Sequence, residues 1–230
     1  MFRLPTRVDF EPGCASRIPE LIRQMGSVRP LVITDPGVRS TDWFEPLIST
    51  CSSCRIEDQV SPNPKAEEVD TIAEVARSRG VDLVVGIGGG SVLDAAKAVA
   101  MLLQNPGHIN DYEGKDQFRN GSAPFIAVPT TCGTGSEVTW VSVISTPKEG
   151  RKISIKGDAM FPRFALSDAN LIRTLPPHLI AATGMDAMTH ALESLIVRGA
   201  NPVSDALATR AIFLLMGSLT SCASDPSHAA

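Results

Sequence analysis

The sequence predicts an α/β protein: a domain built on a parallel sheet, followed by a wholly helical segment. In the first part of the chain, apolar β-branched stretches alternate with helical patterns at the spacing of βαβ units. Turns rich in glycine or threonine follow two of these strands, and only helical patterns occur after Pro177. We therefore place a domain boundary there, which divides the chain into an α/β domain (1–177) and a partial, apparently truncated helical domain (178–230).

The first eighty residues alternate three predicted strands with three predicted helices. The strands cover residues 7–10, 31–34 and 55–60, and the helices cover residues 15–25, 43–49 and 65–79. The third helix is amphipathic, and its predicted inner face carries Val69, Ile72, Val75 and Ala76. This alternation indicates a parallel sheet that is covered by helices on both sides.

The next eighty residues continue the same pattern and add a hairpin. An apolar strand at 81–87 leads into a helix at 92–103, and a second short strand follows at 125–128. Residues 141–145 and 152–156 flank the turn sequence TPKEG, which predicts a hairpin, and 164–167 form one more strand. In such folds, ligands gather beyond the carboxyl ends of the strands, where both small-residue turns lie.

The most informative stretch is VGIGGGSVLDAAK, in which three glycines close a strand and open a helix. Gly88, Gly89 and Gly90 have no Cβ, so a diphosphate could approach the backbone and bind the first N–H groups of the helix. Ser91 and Asp94 have the spacing of a capping box that would fix the helix start. The alternative is a tight turn that needs glycine only for a positive φ angle.

A second turn, AVPTTCGTGSEVT, follows the next strand and is rich in hydroxyl groups. Thr130, Thr131, Thr134 and Ser136 could bind a sugar, phosphate or amide without adding charge. The alternative is a polar loop whose hydroxyls cap a helix.

A third stretch, AATGMDAMTHALES, is helical and places Asp186 and His190 four residues apart. Side chains at this spacing share one helix face, so both could bind the same divalent cation. The alternative is a hydrogen-bonded pair without a metal.

In this order, the three stretches resemble the iron-containing (group III) alcohol dehydrogenase family. They correspond to its GGGSxxDxxK and PTTxGTxSEVT motifs and to the segment with its first two metal ligands, and LVITD and PNP agree as well. The resemblance implies an architecture similar to dehydroquinate synthase, with a dinucleotide-binding domain and a helical metal-binding domain. It also implies hydride exchange between NAD(P) and a small alcohol or aldehyde.

The resemblance assigns roles to single residues, although it leaves the catalytic proton donor unassigned. Asp35 ends the strand of LVITD, where its carboxylate would accept hydrogen bonds from a ribose and repel the 2′-phosphate of NADP, so NAD is the expected cofactor. Locally, Asp35 is almost equally well explained as a turn residue. Asp186 and His190 would bind the metal, Fe(II) or Zn. The expected cofactor-binding residues are Asp35, Asn63, Gly88, Gly89, Gly90, Ser91, Asp94, Thr130, Thr131, Thr134 and Lys152.

The chain departs from the family in one respect. Two later histidines complete the family's metal site, but this chain contains only His108, His178, His190 and His228. His178 follows two prolines at a helix start and is interpreted as a capping or surface residue, and His228 has no metal-binding context. We therefore expect an incomplete metal site.

Composition favours a cytoplasmic protein without nucleic-acid or membrane partners. The formal net charge is -4, which offers no attraction for polyanions, and neither a signal peptide nor an apolar stretch of bilayer length is expected. The CSSC at 51–54 has no second CxxC, so two ordinary cysteines are expected there, and Cys132 is interpreted as a small loop-filling residue. Apolar faces on the last helices predict self-association into a homo-oligomer.

Three functional hypotheses remain open from the sequence. The first is a dehydrogenase of this family, represented by a partial chain. The second is a relative with other chemistry, similar to glycerol dehydrogenase or dehydroquinate synthase, against which the sequence SEVTW argues. The third is a non-catalytic nucleotide-binding fragment, which the missing metal ligands favour.

Overall fold

A computed structural model describes residues 2–49, 51 and 54–225. By their internal contacts they divide into two compact units. The larger, α/β unit comprises Pro5–Thr130 and Ser136–Asp168, and the smaller, helical unit comprises Met1–Leu4, Thr131–Gly135 and Ala169–Ala230. A boundary after residue 177 stays a prediction.

The α/β unit contains nine strands in two sheets. The strands are β1 (Arg7–Asp9), β2 (Pro30–Ile33), β3 (Arg55–Glu57), β4 (Leu83–Gly88), β5 (Gly114–Lys115), β6 (Phe125–Pro129), β7 (Val141–Thr146), β8 (Arg151–Lys156) and β9 (Phe164–Leu166). Six of them form a sheet in the order β1-β9-β6-β4-β2-β3, with every neighbouring pair parallel. The parallel sheet that the sequence predicted is therefore confirmed.

Seven α-helices accompany these strands in the described part of the chain. They are α1 (Ile18–Gln24), α2 (Pro36–Arg39), α3 (Phe44–Ser49), α4 (Ala66–Ser78), α5 (Gly90–Gln104), α6 (Pro177–Ile196) and α7 (Pro202–Ser224). The most deeply buried is α5, on which ten residues in succession from Val92 to Leu102, Asp94 excepted, are shielded from solvent. A helix that is apolar all round is typical of a core position.

The hairpin that the sequence predicted is also confirmed. Strands β7 and β8 pair antiparallel from Val141↔Lys156 to Thr146↔Arg151, and β5 adds a third strand beside β8. Ile144, Ile153 and Ile155 point from this small sheet into the core that α5 shares with α4. The apolar face of the hairpin therefore packs against α4 and α5 within the α/β unit.

The helical unit contains α6 and α7. Asn201 caps α7, because its side chain accepts hydrogen bonds from the backbone N–H groups of Val203 and Ser204. A long connection is unnecessary between antiparallel helices, and only five residues separate these two.

Several local predictions were wrong, each for a physical reason. The helix predicted from residue 15 begins as a 3₁₀ turn at Cys14–Arg17 and becomes α-helical at Ile18, because Pro19 fits only into a first helical turn. On α4, Val75 is 41% exposed and Ala73 is buried in its place. Strand β3 ends three residues early, at Glu57.

Two further predictions, on cysteines and on apolar length, were wrong. Cys51 and Cys54 form a disulfide, although two unlinked cysteines were expected. Within the described residues, α7 is long and apolar enough to cross a membrane, although no such stretch was expected. Small residues and hydroxyls separate its leucines, which disguises the apolar run in the sequence. Only 6% of the residues in its most apolar stretch are buried in the structure.

Shortening a core side chain of α5 tests this packing. Leu93 is 1% exposed in the cluster between α5 and the sheet, so we expect Leu93→Ala to lower the free energy of unfolding by about 2–5 kcal/mol through the cavity it leaves. Denaturant unfolding followed by circular dichroism measures the change. Val75→Ala is the matched control at an exposed position and should cost about 0.5 kcal/mol or less. Equal losses in the two variants would contradict the assigned core.

Candidate functional site

The candidate site lies where the order of the parallel strands changes direction. From β2 the chain moves outward to β3 and then returns to β4 on the other side of β2, so β2 and β4 are neighbours whose connections leave in opposite directions. A crevice beyond the carboxyl ends of such a strand pair is the usual ligand site of an open α/β sheet. Asp35 follows β2, and the glycine turn, residues 88–91, follows β4.

None of the three glycines in this turn adopts a left-handed backbone. The φ angles of Gly88, Gly89 and Gly90 all lie outside the positive range. Gly89 has φ −75° and ψ −175°, which any residue can adopt. The alternative explanation, a turn that needs glycine for its backbone angles, is therefore contradicted. Gly88 is explained by space instead, and Gly89 by its place at the helix N-terminus.

Gly88 and Gly89 have two different roles. An added Cβ on Gly88 would lie 2.6 Å from the side chain of Val92, so this glycine allows α5 to pack closely against the end of β4. Gly89 is the N-cap of α5 and has no side chain that could bond its first N–H groups. Those N–H groups and the positive end of the helix dipole can therefore bind an anion.

The predicted capping box of Ser91 and Asp94 is wrong. The helix begins at Gly90, one residue before Ser91, and no side chain caps it. The Asp94 carboxylate instead accepts hydrogen bonds from Ser136 Oγ at 2.6 Å and from the Val143 backbone N–H at 2.9 Å. A tertiary interaction over more than forty residues has replaced the local one, which residue spacing could not show.

Three of the predicted cofactor residues are joined by hydrogen bonds beside the glycine turn. Ser91 Oγ accepts from the Asn63 backbone N–H at 3.1 Å, and Lys152 Nζ donates to Asn63 Oδ1 at 2.7 Å. Asn63 has a positive φ of 54°, a conformation that asparagine tolerates better than most residues. The strained loop thus fastens Lys152 of the hairpin to the first turn of α5.

A fully buried lysine, Lys97, lies two helical turns further along α5. Its ammonium group donates to Ser136 O at 2.9 Å, Ser136 Oγ at 3.0 Å, Thr139 Oγ1 at 3.3 Å and Val141 O at 2.6 Å. The sequence analysis assigned this residue no role beyond its place at the end of the GGGSxxDxxK motif, although a lysine within the apolar run AAKAVAMLL is itself a signal. Lysine is almost never fully buried unless its charge is paired.

Burial shifts the pKa of the charged groups in this cluster. Desolvation lowers the pKa of Lys97 from 10.5 to about 8, although the nearby Asp94 carboxylate opposes the shift. The same cause raises the pKa of Asp94, against the effects of Lys97 and of the hydrogen bonds from Ser136 and Val143. Burial also raises the pKa of Glu137.

Thr130 and Asp35 have structural partners of their own. Thr130 is buried, and its backbone N–H donates to Gly88 O at 3.0 Å, which links the end of β6 to the glycine turn. The Asp35 carboxylate caps α2 by accepting a hydrogen bond from the Val38 N–H at 2.9 Å. This is the turn role that the sequence left open, and only one carboxylate oxygen takes part in it.

Asp186 and His190 lie together on α6, as their spacing predicted. His190 Nδ1 is 3.8 Å from Asp186 Oδ2 and 3.2 Å from the carbonyl oxygen of Gly133, and both side chains are about half exposed. If Nδ1 donates to this carbonyl, Nε2 presents its lone pair, which is the usual arrangement of a metal-binding histidine. Thr131 and Thr134 belong to the same helical unit.

The described residues do not complete a metal site. No group of three or more His, Cys, Asp or Glu side chains with metal-binding geometry occurs among them. His108 Nδ1 bonds Asp70 Oδ2, and His178 is exposed without capping α6, so only the surface role expected for His178 remains. His228 lies outside the described residues. Asp186 and His190 can supply two ligands, one fewer than the three that proteins usually provide to a catalytic metal.

The fold and this site define a class of proteins: α/β proteins with an open parallel sheet and a glycine turn between strand and helix where the strand order changes direction. The comparisons with known proteins specify the class further. A family model for "Iron-containing alcohol dehydrogenase" matches residues 5–169, and the model for the C-terminal domain of the same family matches residues 180–230. The chain belongs to the iron-containing alcohol dehydrogenase family.

Individual relatives agree along almost the whole chain. Alcohol dehydrogenase 4 of Schizosaccharomyces pombe is 35% identical over 93% of this chain and 52% of its own length. The structure of sulfoacetaldehyde reductase from Bifidobacterium kashiwanohense in complex with NAD+ has a TM-score of 0.93 and 34% identity, covering 98% of this chain and 61% of its own. Alcohol dehydrogenase from Oenococcus oeni has a TM-score of 0.93 at 28% identity, covering 100% of this chain and 61% of its own. The chain thus spans slightly more than half the length of these relatives.

Metal content tests the two-ligand site. We expect the 230-residue chain to retain far less than one equivalent of iron or zinc after dialysis against a chelator, because two ligands bind a catalytic metal weakly. Metal analysis by mass spectrometry measures the content. His190→Ala is the matched variant and should remove the residual binding, whereas His178→Ala should not change it. One tightly held equivalent in the unaltered chain would contradict the prediction.

Proposed function

We propose that the protein acts in an NAD-dependent oxidoreductase that transfers a hydride between the nicotinamide and a small alcohol or aldehyde. The observation that carries the proposal is the glycine turn. Its glycines are not needed for backbone angles, and they leave the N-terminus of α5 open at the point where the strand order changes direction. A diphosphate is the ligand that this arrangement fits.

The neighbouring residues fit the rest of a dinucleotide. Lys152 brings a cation to the first turn of α5 through Asn63, where it can bind a phosphate or ribose oxygen. Asp35 lies at the end of the adjacent strand, and its second carboxylate oxygen can accept from the ribose hydroxyls of the adenosine. The hydroxyls of Thr130, Thr131 and Thr134 remain proposed cofactor contacts.

The names of the relatives support the cofactor and the substrate class. One related structure contains NAD+, and a relative from Bacillus methanolicus, 32% identical over 93% of this chain and 57% of its own length, is an NAD-dependent methanol dehydrogenase. Because this chain spans only part of such proteins, the activity, the cofactor and the substrates are proposed for it. The substrate within the class of small alcohols and aldehydes is left open.

Asp186 and His190 are the proposed metal ligands, and Fe(II) or Zn fits both. When bound, such a cation polarises the carbonyl of the substrate or lowers the pKa of a bound alcohol. In this chain, Gly133 O orients His190 by accepting a hydrogen bond from its ring. Because further ligands are needed, we expect slow turnover of alcohols by the 230-residue chain alone.

A second candidate is a nucleotide-binding protein without catalytic activity. It is favoured by the two-ligand metal site of the described residues. Both candidates predict NADH binding, but only the enzyme gains activity when the missing ligands are restored by a longer chain. A relative with glycerol-dehydrogenase or dehydroquinate-synthase chemistry has less support, since the family models that match are those of the iron-containing alcohol dehydrogenases.

The cellular setting is also proposed. We expect a cytoplasmic protein with no nucleic-acid or membrane partner, as befits an enzyme for small polar substrates. In a reducing cytoplasm, Cys51 and Cys54 would be held mostly as thiols. We also propose a homo-oligomer, because α6 and α7 expose large apolar side chains, with Ile196 at 83% and Met216 at 76% exposure.

The glycine turn separates a packing role from a binding role. Gly89→Val should abolish NADH binding and lower the free energy of unfolding by only about 1 kcal/mol, because its backbone angles suit any residue. Gly88→Val should cost more stability, about 1–3 kcal/mol, through the overlap with Val92. Fluorescence titration with NADH and denaturant unfolding measure the two effects.

Gly121→Val is the control for this pair, because an added Cβ at Gly121 meets nothing within 4 Å. It should leave both measurements unchanged. A Gly89→Val protein that is folded and binds NADH with the original affinity would contradict the proposal that the turn binds the diphosphate.

Asp35 is expected to select NADH over NADPH by repelling the 2′-phosphate. Asp35→Asn removes the charge but keeps an oxygen that can cap α2, so it should narrow the difference in affinity by roughly tenfold without unfolding the loop. Asp35→Gly should narrow it similarly but loses the cap, about 0.5 kcal/mol. Isothermal titration with both nucleotides decides the matter. Equal affinities in the unaltered protein would rule out this role.

A further inference from the structure

The buried cluster around Lys97 joins two structures that the proposed site requires. Lys97 lies on α5, the helix whose N-terminus forms the glycine turn, and its acceptors lie on Ser136, Thr139 and Val141, the segment that leads into the hairpin β7–β8. This hairpin carries Lys152, which reaches the first turn of α5 through Asn63. The cluster therefore lies at the inner end of the same hairpin.

We propose that Lys97 is a positioning residue for nucleotide binding: its ammonium ion holds the hairpin β7–β8 against α5, and the loss of that charge weakens binding of the nucleotide. This inference rests on the proposed function. Lys97 itself is fully buried and does not need to touch the ligand.

The hydrogen bonds show why the charge matters. A lysine ammonium has three hydrogens, and four oxygen atoms lie within 2.6–3.3 Å of Lys97 Nζ. Ser136 Oγ donates its own hydrogen to Asp94, so towards Lys97 it can only accept. A neutral amine has two hydrogens, and at least one carbonyl or hydroxyl oxygen would lose its donor in a buried site.

Asp94 extends the cluster to the hairpin itself. Its second carboxylate oxygen accepts from the Val143 N–H, and its backbone carbonyl accepts from Ser142 Oγ at 2.8 Å. The hydrogen bonds from Lys97 through Ser136 therefore meet, at Asp94, those that Ser142 and Val143 of β7 donate. Such connected bonds strengthen one another in a low-dielectric interior.

Three charged groups act on this cluster. The carboxylates of Asp94 on α5 and Glu137 on the 3₁₀ turn Ser136–Val138 both stabilise the ammonium form of Lys97. Lys152 on β8 acts on Asp94 and stabilises its carboxylate. Desolvation outweighs the two carboxylates and lowers the pKa of Lys97 to about 8. The ammonium group therefore loses its charge at a mildly alkaline pH, at which binding can be measured.

The effect of this titration on stability has the opposite sign to its effect on binding. The pKa of Lys97 is about 8 in the folded protein and 10.5 for an unperturbed lysine, so between these values the unfolded chain binds more protons. The contribution of Lys97 to the free energy of unfolding therefore rises with pH across this window. Nucleotide affinity should fall across the same window, which separates positioning from a general loss of structure.

The first experiment follows the cluster without a nucleotide. Trp140 lies between two acceptors of Lys97, and the only other tryptophan is Trp43. In a Trp43→Phe protein, the fluorescence emission of Trp140 should change between pH 7 and pH 10, with a midpoint near the Lys97 pKa of about 8. Glu137→Gln keeps the lysine and should move the midpoint to lower pH, because it removes a stabilising carboxylate. Lys97→Met should abolish the transition.

The second experiment measures the dissociation constant of NADH from pH 7 to pH 9.5. We expect the dissociation constant to rise roughly threefold to tenfold in the unaltered protein. This is the effect expected from the partial loss of one charged hydrogen bond. Lys97→Met should bind more weakly by a similar factor at pH 7 and show no pH dependence. Lys148→Met is the matched control, since this exposed lysine lies at the tip of the same hairpin. Cys132→Ser should keep the transition, which excludes the exposed Cys132 thiol as its source.

The outcomes distinguish this proposal from the proposed function. NADH affinity that is independent of pH, or that falls equally in Lys97→Met, would overturn the role of Lys97 and leave the dinucleotide site intact. A protein in which Trp140 titrates as described but which binds no NADH at any pH would overturn the proposed function, and with it the binding role of Lys97. The expected results in both experiments would support both.

Discussion

The close packing of α5 against β4 is the interaction on which the rest of the structure depends. Ten residues of this helix are buried, and its first turn can meet the end of the strand only because Gly88 has no side chain. The helix is held at the centre of the α/β unit, where the two sheets and α4 surround it. Its N-terminus consequently lies at the crevice where the strand order changes direction, with its N–H groups open.

Burying the middle of this helix has an electrostatic consequence. Every residue from Ala95 to Leu102 is buried, so Lys97 has no solvent-facing side and must find partners inside the protein, and the half-buried Asp94 is paired there as well. They find them on the segment from Ser136 to Val143, which is thereby fixed to the helix. Burying the charges of Lys97 and Asp94 is unfavourable by itself, but their hydrogen bonds fix the position of the hairpin that carries Lys152.

The helical unit presents a different situation. Its two long helices bury few side chains within the unit: α6 buries Gly184 and Ala191, and α7 buries Ala208. Residues 180–230, which include α7 and most of α6, match the C-terminal domain of the family. The proposed metal ligands Asp186 and His190 lie on the sparsely buried α6, and the Gly133 carbonyl oxygen is the hydrogen-bond partner of His190.

The sequence by itself determined the order of the strands and helices except β5 and α2, together with the parallel sheet, the hairpin and the family. These follow from local periodicity and from short motifs, in which the backbone and the residue types carry the information together. It also brought Asp186 and His190 onto one helix face, since helical spacing is a local property. It identified Asn63, Ser91 and Lys152 only through the family resemblance, and the structure then joined them by hydrogen bonds.

Only the tertiary structure decided how the polar groups are paired. Asp94 leaves its local partner for Ser136 and Val143, Lys97 is satisfied by oxygens about forty residues away, and Gly88 proves to be needed for space and not for φ. Val75 turns to solvent because the neighbouring helix and sheet select another face of α4. Each outcome depends on which distant groups meet in the folded core, and a buried donor or acceptor must be paired with whatever lies within its reach. Sequence spacing contains no record of those meetings.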